Sequence, residues 1–182
     1  MKVEFCGAGS RDPDNWQASS SRLVNCYREA SQGKTGHIIK SDLGTTAFSS
    51  VSGVFFRAMA EIEGNLYVSC GSALHKIDVS GGAVSLGATA DSAEASIAGN
   101  NGDVTLCVGG NYYVWDGASL STPSAGAFSS FGSLDYVGNY TVLTELNGRR
   151  FQWSALADAG TLPGLNFSSA DGRDDKIIRG AA

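Results

Sequence analysis

Residues 64–78 read GNLYVSCGSALHKID, and residues 102–116 read GDVTLCVGGNYYVWD. In each stretch a second glycine follows the first after 7 residues, and an aspartate closes the stretch 14 residues after the first glycine. Short runs rich in Val, Leu, Tyr and Trp between glycine-marked turns are typical of antiparallel strands. The two stretches therefore predict two copies of one β-hairpin within an internal repeat.

A third copy is predicted at residues 138–153, which read GNYTVLTELNGRRFQW. The Asn147-Gly148 pair between two strand-like runs predicts a type I′ hairpin turn. The repeat starts at Gly64, Gly102 and Gly138 are spaced 38 and 36 residues apart, just below the ~40 to 50 residues of a four-stranded propeller blade. We therefore expect an all-β fold, a partial β-propeller of about three repeats, with a β-sandwich as the alternative.

The region before the repeats has a different character. Residues 10–21 are polar and rich in turn formers, and only short apolar runs follow. We expect residues 1–50 to form an extended N-terminal arm with short strands, and residues 51–182 to form the propeller-like repeats, with starts near 54, 92 and 130. The stretch DDKIIR at residues 174–179 resembles the opening of a further unit, so the propeller is expected to be incomplete.

Composition excludes some classes of function. The 182 residues are 42% hydrophobic and 17% charged, which is ordinary for a folded protein, and 24 glycines against 3 prolines predict many tight turns. The formal net charge of −5 argues against sequence-independent binding to DNA, because phosphate contacts need a Lys/Arg surface. No run approaches 18 apolar residues, and no signal peptide is recognisable, so we expect no membrane span.

Motifs for metal, cofactor or nucleotide binding are not complete. The four cysteines form no C-x-x-C pair, which predicts reduced, mostly buried thiols instead of a zinc site. Gly33-Lys34-Thr35 resembles the end of a phosphate-binding loop, but Arg28 stands where that loop needs glycine. We therefore expect no metal and no cofactor.

Candidate catalytic side chains also have simpler interpretations. His75 lies in a predicted strand, where the second repeat has Tyr113, and is expected to be a packing or surface residue; His37 has no acidic partner nearby in sequence. Asp78 and Asp116 occupy equivalent repeat positions before Gly/Ser turns, where aspartate commonly accepts hydrogen bonds from its own turn. No catalytic residue is predicted, and the chain is not expected to be an enzyme.

The arm and the repeats together resemble the packaged-DNA stabilisation proteins, which are the tail hub or nozzle proteins of short-tailed bacteriophages. The resemblance rests on SSSRLVNCY (19–27), IIKSDLGTTAF (38–48), VFFRAM (54–59), the first repeat and IAGNNG (97–102). It covers roughly residues 18–180. Two departures are the absence of the family's usual proline at Asp42, and a length less than half that of most members, so the chain resembles their N-terminal portion.

The resemblance implies a structural protein of the virion tail, assembled in the host bacterial cytoplasm. It implies a homo-oligomeric ring, expected to be a hexamer, that closes the portal channel, retains packaged DNA and conducts it during ejection without sequence-specific binding. The implied partners are the portal-adaptor (head-to-tail connector) protein and tail needle, plug, fibre or spike proteins. The expected contact residues lie in the arm: Arg22, Leu23, Val24, Asn25 and Tyr27.

Two other functions remain open on the sequence. A carbohydrate-binding or carbohydrate-active propeller of the tail would need an exposed aromatic cluster with convergent carboxylates. A kelch- or WD-type interaction scaffold would be stable as a monomer, whereas a hub needs large apolar faces between subunits.

Overall fold

The computed structural model describes residues 26–30, 37–41, 46–53, 55–91, 94–124, 126–172 and 176–177, the first two ranges as backbone only. The chain divides into two compact units, residues 1–47 and 48–182. In the first unit, β1 (Cys26–Ala30) and β2 (His37–Ser41) form a two-stranded antiparallel sheet, in which Cys26 is opposite Ser41 and Ala30 is opposite His37.

The second unit contains three four-stranded antiparallel sheets, each with its strands in chain order. We call them blades 1, 2 and 3. Blade 1 consists of β3 (Phe56–Ile62), β4 (Asn65–Cys70), β5 (Ala73–Ile77) and β6 (Ala83–Ala88). Blade 2 consists of β7 (Ala95–Asn100), β8 (Asp103–Val108), β9 (Asn111–Trp115) and β10 (Leu120–Ser121). Blade 3 consists of β11 (Phe131–Val137), β12 (Tyr140–Glu145), β13 (Arg150–Trp153) and β14 (Phe167–Ser169).

Consecutive blades meet through their first strands, because β7 packs against both β3 and β11. The first strand is therefore the inner strand of each blade, and β6, β10 and β14 are the outermost ones. All elements of the described residues are strands, as the alternating apolar runs predict. This arrangement is that of propeller blades, and it confirms the predicted all-β repeat architecture.

The turn between the first two strands of each blade is a two-residue turn with positive φ at both positions. These turns are Glu63-Gly64, Asn101-Gly102 and Gly138-Asn139. Positive φ at both positions defines the type I′ turn, which matches the twist of the strands. The predicted hairpins lie one connection later: β4 pairs with β5 through the two-residue turn Gly71-Ser72, and β8 pairs with β9 through Gly109-Gly110, which confirms them.

The alignment of the third repeat on its glycine is wrong by one residue. Gly138 is the first residue of its turn, whereas Gly64 and Gly102 are the second residues of theirs. The equivalent turn starts are 63, 101 and 138, so their spacing is 38 and 37 instead of 38 and 36. Glycine and asparagine exchange places in this turn because asparagine, like glycine, tolerates a positive φ, so either residue can occupy either position.

The type of turn predicted at Asn147-Gly148 is also wrong. β12 and β13 do form a hairpin, and Asn147 has φ 58°, but Gly148 does not have positive φ. The backbone N–H of Gly148 instead donates to the carbonyl oxygen of Glu145 at 3.2 Å, so the tight turn is centred on Leu146 and Asn147. The connection is longer than a two-residue loop, which relaxes the requirement for a type I′ geometry.

The core lies between the blades. Blades 1 and 2 bury a cluster of Tyr67, Leu74, Val104, Leu106 and Val108. Blades 2 and 3 bury a second cluster, whose members include Cys107, Tyr112, Val114, Phe131, Leu134 and Leu143. Alternate residues of β8 belong to different clusters, because successive side chains of a strand point to opposite faces. Blade 2 is consequently buried on both faces.

A third, smaller cluster covers part of the free face of blade 1. Val68, Cys70 and Ile77 are buried there, with Val51 packed against them. Residues 48–53, which we call the crossover segment of blade 1, run across this face. A Cβ added at Gly53 would lie 2.6 Å from Cys70 Sγ, and one at Gly81 would lie 2.3 Å from the carbonyl oxygen of Phe48.

Candidate functional site

Strand pairing makes positions in the three blades equivalent, and it gives each blade two faces. We call the face turned toward the preceding blade the leading face and the opposite one the trailing face. On the second strand the leading residues are Leu66, Val68 and Cys70 in blade 1, Val104, Leu106 and Val108 in blade 2, and Thr141, Leu143 and Glu145 in blade 3. The two faces of the blades carry most of the buried hydrophobic side chains, and they are the candidate functional surfaces.

Aromatic packing fixes the junction of blades 2 and 3. The ring of Phe131, on the leading face of blade 3, lies 5.8 Å from that of Tyr112, on the trailing face of blade 2. It lies 5.5 Å from the ring of Phe128, in the segment that leads into β11. Tilted rings at these distances are a favourable arrangement of aromatic pairs.

Buried hydrogen bonds also cross this junction. Asn100 Nδ2 donates to Thr141 Oγ1 at 3.0 Å, and the backbone N–H of Leu134 donates to Ser96 Oγ at 2.9 Å. Tyr112 donates its hydroxyl hydrogen to the carbonyl oxygen of Ala159 at 2.9 Å. Because these groups are buried, breaking one bond would leave an unsatisfied polar atom, so hydrogen bonds stabilise the junction in addition to apolar contacts.

One polar position on the third strand serves the crossover between blades. In blade 2 the Tyr113 hydroxyl accepts a hydrogen bond from the backbone N–H of Ala90 at 3.0 Å. In blade 3 Gln152 Oε1 accepts one from the backbone N–H of Ala127 at 2.7 Å. His75 is the equivalent residue of blade 1 and is buried, which agrees with its expected packing role. Its Nε2 has no hydrogen-bond partner in the described part of the chain.

The leading face of blade 1 is largely open at its inner strand. Phe56 and Met59 are each 61% exposed, although Phe131 and Leu134, their equivalents in blade 3, are 5% and 4% exposed. β3 and β11 each carry a β-bulge directly after the phenylalanine. Because of the bulge, a residue and the one three positions after it in the sequence lie on the same face. Sequence reasoning missed this pair, because strict alternation would have placed the two side chains on opposite faces.

The trailing face of blade 3 is also without a neighbouring blade among the described residues. It carries Val142 on β12, with Phe151 and Trp153 on β13, all partly exposed. The two aromatic rings lie 6.2 Å apart. The equivalent positions in blade 2, Tyr112 and Val114, are buried against blade 3.

The aspartates at the repeat ends hold turns, as predicted. Asp78 Oδ1 accepts hydrogen bonds from the backbone N–H groups of Ser80 at 2.8 Å and Gly82 at 2.9 Å. Asp116 Oδ1 accepts them from Ala118 at 2.8 Å and Ser119 at 2.7 Å. Hydrogen bonds to the charged form lower the pKa of both carboxyl groups. The largest contribution comes from the Ser80 hydroxyl for Asp78 and from the Ser119 backbone N–H for Asp116.

The cysteines with described side chains are structural. Cys70 and Cys107 are free and buried, as expected. Burial raises the pKa of Cys107 to about 12, which keeps the thiol protonated and unreactive at neutral pH. Among the described residues no group of three or more His, Cys, Asp or Glu side chains is arranged to hold a metal ion.

A polar pocket of about 390 Å³ opens between the inner strands of blades 1 and 2. Its lining includes Arg57, Met59, Glu94 and Ser96. The Arg57 guanidinium forms an ion pair with Asp91 and donates to the carbonyl oxygen of Gly71 at 3.3 Å. The arginine thus joins blade 1 to the connection that follows it.

The predicted contact residues of the arm are not tested by this geometry. Arg22, Leu23, Val24 and Asn25 lie outside the described residues. Tyr27 lies in β1 opposite Lys40. In the described part of the chain no helix has the length and apolar character needed to span a bilayer.

Comparison with solved structures supports the fold alone. A computationally designed protein, Ika4, shares 15% identity with a TM-score of 0.51, over 73% of this chain and 84% of that one. Two other proteins are less similar in structure. Kluyveromyces lactis Hsv2 shares 12% identity with a TM-score of 0.39, over 78% of this chain and 47% of that one. The designed Ika8 protein shares 16% identity with a TM-score of 0.37, over 71% of this chain and 54% of that one. No curated protein sequence matches the chain.

Comparison with protein-family models gives a match over residues 8–181, nearly the whole chain, to the phage-stabilisation family described as bacteriophage P22 Gp10, beta-propeller. The matched range includes residues 8–50 of the predicted arm and all three blades. The stacked four-stranded sheets agree with the propeller fold of that description. The chain therefore belongs to this phage-stabilisation family of bacteriophage structural proteins.

Proposed function

We propose that the chain is a tail hub, or nozzle, protein that closes the portal channel, retains packaged DNA and conducts it during ejection. The observation that carries the proposal is the family match over residues 8–181. The proposed setting is the virion tail after assembly in the host cytoplasm. The proposed partners are further copies of the chain in a ring, the head-to-tail connector and a needle or plug.

The character of the molecular surface supports a mechanical role over an enzymatic one. Most buried hydrophobic side chains lie on sheet faces suited to packing, and the Asp78 and Asp116 carboxylates are held by their own turns. The buried Cys107 thiol is protonated at neutral pH. We therefore propose that the protein acts through contacts with other proteins and is not an enzyme.

Charge supports a channel through which DNA slides. The formal net charge is −5, so the protein carries the same sign as the DNA backbone. Like charges suppress adhesion of a polyanion to a wall, whereas a basic lining would release counterions and hold the DNA. Retention would then depend on physical closure of the channel.

Particles made without this chain provide the test. Purified protein is added to such DNA-filled heads, and the DNA that remains protected from nuclease is measured. We expect wild-type protein to restore protection and Leu23→Asp or Val24→Asp to fail, since a charge in the apolar part of the arm should block docking. The matched control is Val79→Asp, at an exposed turn of blade 1.

Two results would contradict the proposal. One is full DNA retention in particles that lack the chain. The other is restoration by both arm variants to the level given by wild-type protein, which would remove the arm from the contact surface. Circular dichroism of each variant checks that the blades remain folded.

A further inference from the structure

Four buried hydrogen bonds between blades 2 and 3 provide a reference for the junction of blades 1 and 2. Three of them involve Ser96, Asn100 and Tyr112. In the fourth, Cys107 Sγ donates to the carbonyl oxygen of Phe131 at 3.4 Å. Each bond uses one side chain of blade 2, and strand pairing identifies the equivalent residue of blade 1 in every case.

The junction of blades 1 and 2 lacks counterparts of these bonds. The residues of blade 1 equivalent to Ser96, Asn100, Tyr112 and Cys107 are, in this order, Ala58, Ile62, Leu74 and Ser69. The first three have no polar side-chain group. Ser69 is fully buried, and its Oγ has no hydrogen-bond partner in the described part of the chain. A buried hydroxyl without a partner destabilises the folded state, so hydrogen bonds at these four positions do not stabilise this junction.

Small side chains leave space between the inner strands of blades 1 and 2. The polar pocket of about 390 Å³ is lined by Ala58 and also by Ala95, which is the residue equivalent to Phe131. Alanine therefore stands where, between blades 2 and 3, the ring of Phe131 packs on that of Tyr112. Because fewer apolar atoms can pack there, the inner part of this junction gains less from burial and dispersion.

Both junctions contain an apolar cluster, but the two clusters differ in their access to water. Eight partly buried hydrophobic residues pack against the cluster of blades 1 and 2, whereas two pack against the cluster of blades 2 and 3. In stacked repeats, stability is approximately a sum of the stabilities of the units and of the interfaces between them. The interface with the smaller contribution is therefore expected to open first.

We propose that blade 1 separates from blade 2 as a unit, in an opening that leaves blades 2 and 3 packed together. The opening exposes the trailing face of blade 1 and the leading face of blade 2. It requires less free energy than unfolding of all three blades, because the four hydrogen bonds between blades 2 and 3 stay intact. The inference concerns the described blades alone and does not rest on the role in the tail.

Hydrogen exchange of the full chain tests the proposal. Amide exchange is measured by mass spectrometry in native buffer and at low urea concentrations, and each rate is divided by the intrinsic rate of the unfolded peptide. We expect the amides of β4 and β5 in blade 1 to exchange at least ~10-fold faster than those of β8 and β12. The difference should shrink as urea approaches the unfolding midpoint, because global unfolding then exposes all blades together.

Two substitutions each change one junction. Ala58→Ser introduces the hydroxyl that Ser96 supplies in blade 2, where the backbone N–H of Ile97 can donate to it, and should slow exchange in blade 1 by about three- to tenfold. Tyr112→Phe removes the bond to Ala159. It should accelerate exchange in blades 2 and 3 by a similar factor and leave blade 1 unchanged, because the opening of blade 1 does not break that bond. The matched control is Ala83→Ser, on the exposed outer strand of blade 1, which should alter no blade.

Three outcomes would overturn the proposal. The first is equal protection of the corresponding strands in all three blades, since the blades would then open together. The second is faster exchange of blade 1 in Tyr112→Phe, which would mean that blade 1 opens only when blades 2 and 3 also separate. The third is unchanged exchange of blade 1 in Ala58→Ser, provided that circular dichroism shows the variant to be folded. None of these outcomes alters the DNA-retention test, so the two proposals can fail separately.

Discussion

Replacing Phe131 by alanine should destabilise the chain far more than the same change at Phe56, although the two residues occupy equivalent positions. Phe131 is 5% exposed and contacts the rings of Tyr112 and Phe128. A buried Phe→Ala change costs ~3 to 5 kcal/mol in the free energy of unfolding. Phe56 is 61% exposed, so truncation removes a smaller buried area and should cost about 1 kcal/mol. The expected difference is about 2 to 4 kcal/mol.

The measurement is urea unfolding followed by circular dichroism, with reductant present. It is made in dilute solution, because any self-association would otherwise add to the stability of the wild type. Unfolding midpoints that do not change on further dilution establish this condition. A difference between the two variants below about 1 kcal/mol would refute the assignment of Phe131 to a buried blade junction, since a Phe→Ala change in a core costs several times that.

Three other predictions concern single groups. Burial raises the pKa of Cys107 to about 12. This thiol should therefore react with iodoacetamide at pH 8 at least ~1,000-fold more slowly in the folded chain than in urea. Equal labelling of its peptide in the two conditions, measured by mass spectrometry, would contradict this. Asp116→Ala should lower the urea midpoint at pH 7. A lowered pKa stabilises the fold only while the carboxyl group is ionised, so the loss should shrink as pH falls below the ordinary carboxyl pKa of 3.8. A loss that does not vary with pH would exclude this cause. Gly81→Ala should be more destabilising in thermal unfolding than Gly64→Ala, because both have positive φ but only the first meets backbone, the Phe48 carbonyl oxygen at 2.3 Å; equal effects would argue against the placement of the crossover segment.

The blades were predictable because their signals are local. Each of the two-residue turns with positive φ contains a glycine, and short runs rich in Val, Leu and Tyr lie on either side of it. The turn-holding role of Asp78 and Asp116 was predictable for the same reason, since each carboxylate bonds to backbone within four residues. These features depend on neighbours in sequence, which a pattern can record.

The candidate surfaces were not predictable because they depend on the register in which the strands of each blade pair. The bulge after Phe56 puts this side chain on the same face as Met59, and no turn residue marks the bulge. The shift of Gly138 by one residue likewise becomes visible only through the pairing of Tyr136 with Thr141. Which face of a sheet meets a neighbour follows from such pairing, because a slip of one residue exchanges the faces.

The outer rims of blades 2 and 3 end in very short strands. β10 has two residues and β14 has three, whereas the inner strands β7 and β11 have six and seven. An exposed strand edge can recruit strands from other molecules, and a short edge offers few free backbone groups for that. During infection many copies of a virion part accumulate together, and rims of this kind reduce wrong lateral addition of sheets. The outer rims of blades 2 and 3 therefore leave few backbone groups open to strand addition.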